Sequence, residues 1–128
     1  MPGFLKAHSE TIYGLMRIVV GFTFLCHGAQ KLFGMFGGMP AGVEMNPLLY
    51  AAGTIELVGG AMIMVGLRAG WAAFLCSGTM AVAYFMVHQK DGALPIQNHG
   101  ELAAVYCWVF LYIASRGSGK LSVDDALA

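Results

Sequence analysis

The sequence predicts an all-α integral membrane protein, a four-helix bundle with both termini in the cytoplasm. Composition, four long apolar runs and the turn signals between them carry that reading. Of the 128 residues, 58% are hydrophobic and 11% are charged, whereas soluble domains carry roughly 25% charged residues. A soluble chain of this length must cover its core with polar side chains. The deficit here points to lipid as the solvent for much of the surface. Formal net charge is +0, and the seven Lys and Arg residues are spread singly. A nucleic-acid partner is therefore not expected, because that footprint needs clustered basic side chains.

A membrane-crossing helix needs about 20 mainly apolar residues. Candidates run over about 11–33, 47–67, 70–87 and 99–115, all within one domain covering 1–128. The first contains Arg17, begins late and lacks a small-x-small site at its end, so it reads as a permanent span rather than a cleavable signal peptide. Asn46-Pro47 reads as an N-cap followed by a first-turn proline for the second helix. Asn98 and Glu101 have the spacing of a capping box at the start of the fourth. The segment Gly34-Met-Phe-Gly-Gly-Met-Pro-Ala-Gly42 breaks the helical pattern and forms the first loop. A tight turn near Arg68 follows the second helix, and a polar connection runs from His88 to Asn98.

Four spans place both termini on one side. That side collects Lys6, Arg68, Arg116 and Lys120, against Lys31 and Lys90 on the other. The positive-inside rule then makes it the cytoplasmic side of the inner (plasma) membrane. Gly14, Gly21 and Gly28 recur every seven residues and, with Gly59 and Gly60, offer smooth faces on which helix backbones can approach closely. Cys26, Cys76 and Cys107 all lie in apolar runs without a C-x-x-C pair, so they read as small buried hydrophobes, not as a disulfide framework or a zinc site.

Charges inside a span are costly and usually face the bundle interior. Glu56 is the only carboxylate at depth, and pairing with Arg17 is the simplest way to neutralise both. A polar pocket built around such charges is compatible with that pair. Topology also gathers His27, Gln30, Lys31, His88, Gln97, Asn98, His99 and Glu101 at the outer mouth of the bundle. From these, His27, Gln30, Lys31, His88, Asn98 and Glu101 are the candidate ligand-binding residues. Helix capping competes with a chemical role for Glu101. His27 and His88 alone do not specify a haem or metal. No nucleophilic triad, phosphate loop or dinucleotide fingerprint occurs, so no catalytic residue is assigned.

The run Arg17-Ile-Val-Val-Gly-Phe-Thr-Phe-Leu-Cys-His-Gly-Ala-Gln-Lys-Leu-Phe-Gly34, followed by Phe36-Gly37-Gly38, resembles the DoxX family of small bacterial and archaeal membrane proteins. So do Glu56-Leu-Val-Gly-Gly60 with Gly66, Ala83-Tyr-Phe85 with His88, Pro95 through Asn98-His-Gly-Glu101, and Gly117 through Asp124. The tail departs from the family pattern at Ser118 and Lys120. The resemblance implies a four-helix membrane fold and a redox association, since the family is named for a subunit of an archaeal thiosulfate:quinone oxidoreductase.

The expected function is a membrane subunit of a redox system, quinone-linked, with its polar pocket at the outer mouth. His27, Lys31 and Glu101 would meet the ring oxygens, with Arg17 and Glu56 setting the local field. The alternative is a non-catalytic structural or assembly subunit of a larger membrane complex, with other membrane or redox subunits, or further copies of the chain, as partners in the bilayer. A small-molecule transporter is a third option, although no inverted repeat is evident.

Overall fold

The computed structural model describes residues 3–128. They form helices α1 (Gly3–Lys6), α2 (Ser9–Phe33), α3 (Pro47–Val65), α4 (Ala69–Ala83), α5 (Pro95–Asn98), α6 (Glu101–Arg116) and α7 (Val123–Leu127). No strand occurs among the described residues. α4 continues through a π-helical turn, Tyr84–His88, and a 3-10 turn, Gln89–Asp91. Three segments are long and apolar enough to cross a membrane: Ser9–Phe33, Pro47–Val65 and the continuous Ala69–Asp91. α6 has 16 residues, which at 1.5 Å per residue is about 24 Å. That is shorter than a hydrocarbon core of about 30 Å.

Local chemistry sets the helix ends. The Asn46 side chain accepts the Leu49 N–H at 2.9 Å, with Pro47 in the first turn of α3. α3 stops at Val65, before the expected Leu67, because Gly66 takes the left-handed conformation (φ 74°) and the Gly66 and Leu67 N–H groups turn back onto the Met62 carbonyl, each at 2.9 Å. α6 starts at Glu101 rather than 99. His99 is left-handed (φ 59°), so Gly100 becomes the capping residue. Asn98 is accordingly not half of a capping box. Its Oδ1 accepts the Gly100 N–H at 2.9 Å, and its Nδ2 donates to Tyr84 Oη and to the Gly92 carbonyl, each at 3.1 Å. The buried amide ties the 88–100 connection together.

α2 and α3 approach most closely through glycine. A Cβ on Gly28 would lie 2.7 Å from the Gly53 carbonyl oxygen, and one on Gly60 would lie 2.9 Å from that of Gly21. Neither neighbour is a side chain that could swing away. Gly28→Ala is therefore expected to cost about 1–3 kcal/mol, as overpacked interiors do, and to lower the melting temperature in detergent; an unchanged melt would refute the contact. Gly14, in the same seven-residue series, instead meets the Lys120 carbonyl oxygen, 2.7 Å from its would-be Cβ. Gly59 turns to α4, where Cys76 Sγ fills the space. α6 packs along α4 and reaches α2 through Phe24, whose ring lies 4.6 Å from Phe110 and 5.1 Å from Tyr106.

The end of the bundle that holds the start of α2 is closed by residues 117–128. Arg17 is fully buried there (0% exposed), and it does not pair with Glu56. Its guanidinium donates to four backbone carbonyls instead: Ile63 at 2.7 Å, Met64 at 2.9 Å, Lys120 at 3.0 Å and Leu121 at 2.8 Å. Ile63 and Met64 belong to the last turn of α3, where the Ile63 carbonyl has only the Gly66 N–H at 3.2 Å and where carbonyls run short of helical donors and the helix dipole is negative. The planar fork of arginine serves several acceptors at once, and that is why the charge needs no carboxylate.

The rest of the tail is held in the same manner. Asp124 Oδ2 accepts the Arg68 N–H at 2.7 Å and the Ser118 hydroxyl at 2.6 Å. Ser118 Oγ in turn accepts the Ala69 N–H at 3.1 Å, at the start of α4. Tyr13 donates to the Gly117 carbonyl at 2.6 Å, and Arg116 pairs with Glu10.

Candidate functional site: a flank cleft with a charged inner wall

At the other end the helices part. A cavity of about 760 Å³ lies between α3 and α4, backed by α2 and α6. Its rim includes Leu48, Phe74, Leu75, Val82 and Met86, all exposed, so the cavity is a cleft opening on the flank of the bundle. The inner wall includes Phe24, Glu56, Met80, Ala103 and Tyr106, all buried. Helical register explains the wall. His27 and Lys31 are one turn apart on α2 and share a face, and Glu56 projects toward them from the middle of α3.

Lys31 is the partner of Glu56. Its Nζ lies 2.8 Å from Oε2 and 3.1 Å from Oε1. Only the longer contact has hydrogen-bond geometry, so Oε2 is compensated in charge but receives no directed donor. The side chains are 14% and 5% exposed, so this is a largely desolvated ion pair. Desolvation on this scale offsets much of the Coulombic gain, but loss of either member would leave an expensive lone charge. The His27 ring stands edge-on to Tyr106 at 6.1 Å, and Tyr106 donates to Thr23 Oγ1 at 2.7 Å.

Of the residues the sequence nominates, His27, Lys31 and His88 line the cleft, as does Glu56. His88 sits on the π-helical turn with Nδ1 at 3.1 Å from the Asn98 carbonyl, and it also lines the cleft. π turns inside α-helices occur often at functional sites. Gln30, Asn98 and Glu101 are placed elsewhere. Gln30 donates to the Gly38 carbonyl at 2.9 Å and pins the first loop. Asn98 is used up within the 88–100 connection, and Glu101 is exposed in the first turn of α6. Tyr106, His99 and Met39 join the cleft without having been nominated as ligand contacts. Tyr106 carried a usable signal, being an aromatic hydroxyl within an apolar run. Met39 carried none.

Among the described residues, no group of three or more His, Cys, Asp or Glu side chains is placed to hold a metal ion. Cys26, Cys76 and Cys107 are all free thiols.

Comparison with known proteins adds a lineage. The family model described as DoxX matches residues 13–89. A Haemophilus influenzae (strain ATCC 51907 / DSM 11121 / KW20 / Rd) protein, "Uncharacterized protein", is 37% identical over 128 residues, covering 94% of each chain. A Bacillus subtilis (strain 168) protein bearing the name "Putative oxidoreductase CatD" is 27% identical over 118 residues, covering 86% of this chain and 82% of that one. No solved structure matches the chain.

Proposed function

The chain belongs to the DoxX family of membrane proteins, and from that premise we infer that it is a membrane subunit of a redox system whose flank cleft binds a quinone. One observation carries the reading: a lipid-accessible apolar cleft of about 760 Å³ whose inner wall holds Lys31, Glu56 and His27. Small-molecule sites occupy roughly 300–1,000 Å³, with mostly apolar walls and few polar groups. A quinone needs an apolar slot for its chain and polar partners for its ring oxygens, and these residues fit both needs. Bound there, it would supply two-electron, two-proton chemistry. Lys31 would donate to a ring oxygen, His27 would give or take one hydrogen bond, and the Leu, Phe and Met rim would take the tail directly from the bilayer. The oxidoreductase name of the Bacillus subtilis relative is consistent with this role.

This reading includes four spans, with α6 completing the bundle and reaching the interface at its ends. Arg68, Arg116 and Lys120 lie at the tail-bearing end, so both termini belong in the cytoplasm of a plasma membrane. Electron-transfer partners would be other redox subunits of that membrane or further copies of the chain.

Protein purified in mild detergent is expected to co-extract a quinone detectable by mass spectrometry, and to bind a decyl-benzoquinone saturably. Ala52→Phe, which fills the cleft from α3, should weaken binding about tenfold or more, or at least about 1.4 kcal/mol. Absence of both co-extraction and saturable binding would overturn the proposal.

A further inference from the structure

The hydrogen-bonding capacity of the inner wall is lopsided, and the imbalance bears on which redox form of the ligand the cleft holds. An ionised carboxylate only accepts, with about four lone-pair sites on its two oxygens. At Glu56 the single directed hydrogen bond comes from Lys31 to Oε1, at 3.1 Å. Oε2 is buried 2.8 Å from the same ammonium, and among the described residues it has no partner besides Lys31. Among the described residues no other side chain donates to Glu56: Tyr106 gives its proton to Thr23, and Ser77 gives its own to the Cys107 carbonyl. The last torsion of a glutamate is broad and roughly two-fold, so either oxygen can be turned to the cleft. A carboxylate served by one ammonium keeps unfilled acceptor sites, and hydrogen bonds to charged groups are worth about twice neutral ones.

A quinone ring carries carbonyl oxygens, which can accept from Lys31 but can offer Glu56 nothing. A hydroquinone carries hydroxyls, which can accept from Lys31 and donate to Glu56 at the same time. Resting on the quinone reading above, we propose that the Lys31–Glu56 wall makes this cleft selective for the reduced, hydroxylated ligand over the oxidised dicarbonyl form. His27 does not discriminate, because a neutral imidazole has one donor and one acceptor. Rejection of an analogue that lacks the hydrogen-bonding group a buried site is built for is the strongest form of small-molecule selectivity. The expected preference is about tenfold or more, which for a two-electron couple raises the potential of the bound ligand by about 30 mV per tenfold.

The test is anaerobic titration of the detergent-purified protein with decyl-benzoquinone and with its hydroquinone, taking the ratio of the two dissociation constants. Wild type should favour the hydroquinone by about tenfold or more. Glu56→Gln should bring the ratio close to one, because a carboxamide can donate to a carbonyl as readily as it accepts from a hydroxyl. The double variant Lys31→Met/Glu56→Gln, which leaves no lone charge, should also lose the preference. Equal wild-type affinities, or a preference that survives in either folded variant, would overturn the selectivity while leaving the cleft as a quinone site. Binding of neither form would overturn both.

Discussion

Arg17→Met is expected to lower stability by about 3–5 kcal/mol, through the buried carbonyls that lose a charged donor. The guanidinium satisfies the Ile63, Met64, Lys120 and Leu121 carbonyls in a site with no exposure. A methionine fills much of the volume but leaves the Met64, Lys120 and Leu121 carbonyls without these donors, while Ile63 keeps the Gly66 N–H at 3.2 Å; each buried orphan costs roughly 1–3 kcal/mol unless water reaches it. Lys120 and Leu121 belong to an exposed tail segment that the guanidinium ties to the end of α3. The substitution should therefore show two signs together: a lower melting temperature in detergent, and faster proteolysis within residues 117–128. Arg17→Lys keeps the charge but offers a point donor on a flexible stem instead of a fork, so it should fall between the two. A Met variant that melts like wild type with a protected tail would refute the clasp. So would coupling to Glu56: the Arg17→Met and Glu56→Gln effects should add within about 0.5 kcal/mol, because the two sites share no partner.

Lys31→Met should have a comparable effect at the opposite end. It strands the Glu56 carboxylate in the wall of an apolar cleft, where breaking a buried pair costs about 3–5 kcal/mol. The double variant Lys31→Met/Glu56→Gln should recover most of that loss, since replacing both charges is often neutral or stabilising. Thermal melts of the wild type, both single variants and the double variant close a mutant cycle. A double variant as unstable as Lys31→Met would mean that Lys31 stabilises the bundle through packing of its stem rather than through Glu56.

Several parts of the fold and the site could be read from the residues themselves. Apolar length marks three segments that can cross a membrane, and it placed the fourth helix where α6 lies, although α6 proves shorter. Asn46-Pro47 announces the start of α3 through a cap that any water-free helix end needs. His27 and Lys31 share a face by spacing alone. The partner of Arg17 was not legible, and the reason is general. Its acceptors are main-chain carbonyls, which every residue carries and which leave no mark on the sequence. Charge arithmetic favoured the one carboxylate at depth, but a helix C-terminus met by a returning tail supplies a better match to a planar, five-donor group. Gln30 and Asn98 looked like ligands because they are amides near the mouth; nearby loop carbonyls consume them first.

The sequence by itself determined the solvent, the helices and the rarity of charge, because hydrophobic content and helix punctuation are local properties written residue by residue. Only the tertiary structure decided who pairs with whom. Glycine-to-glycine contact of α2 with α3 sets the depth and rotation at which Lys31 meets Glu56. The folded-under tail and the end of α3 each supply two acceptors for Arg17 and so free Glu56 for the cleft. Those outcomes depend on the relative rotation and height of separate helices. Close packing selects both, and no single segment encodes either.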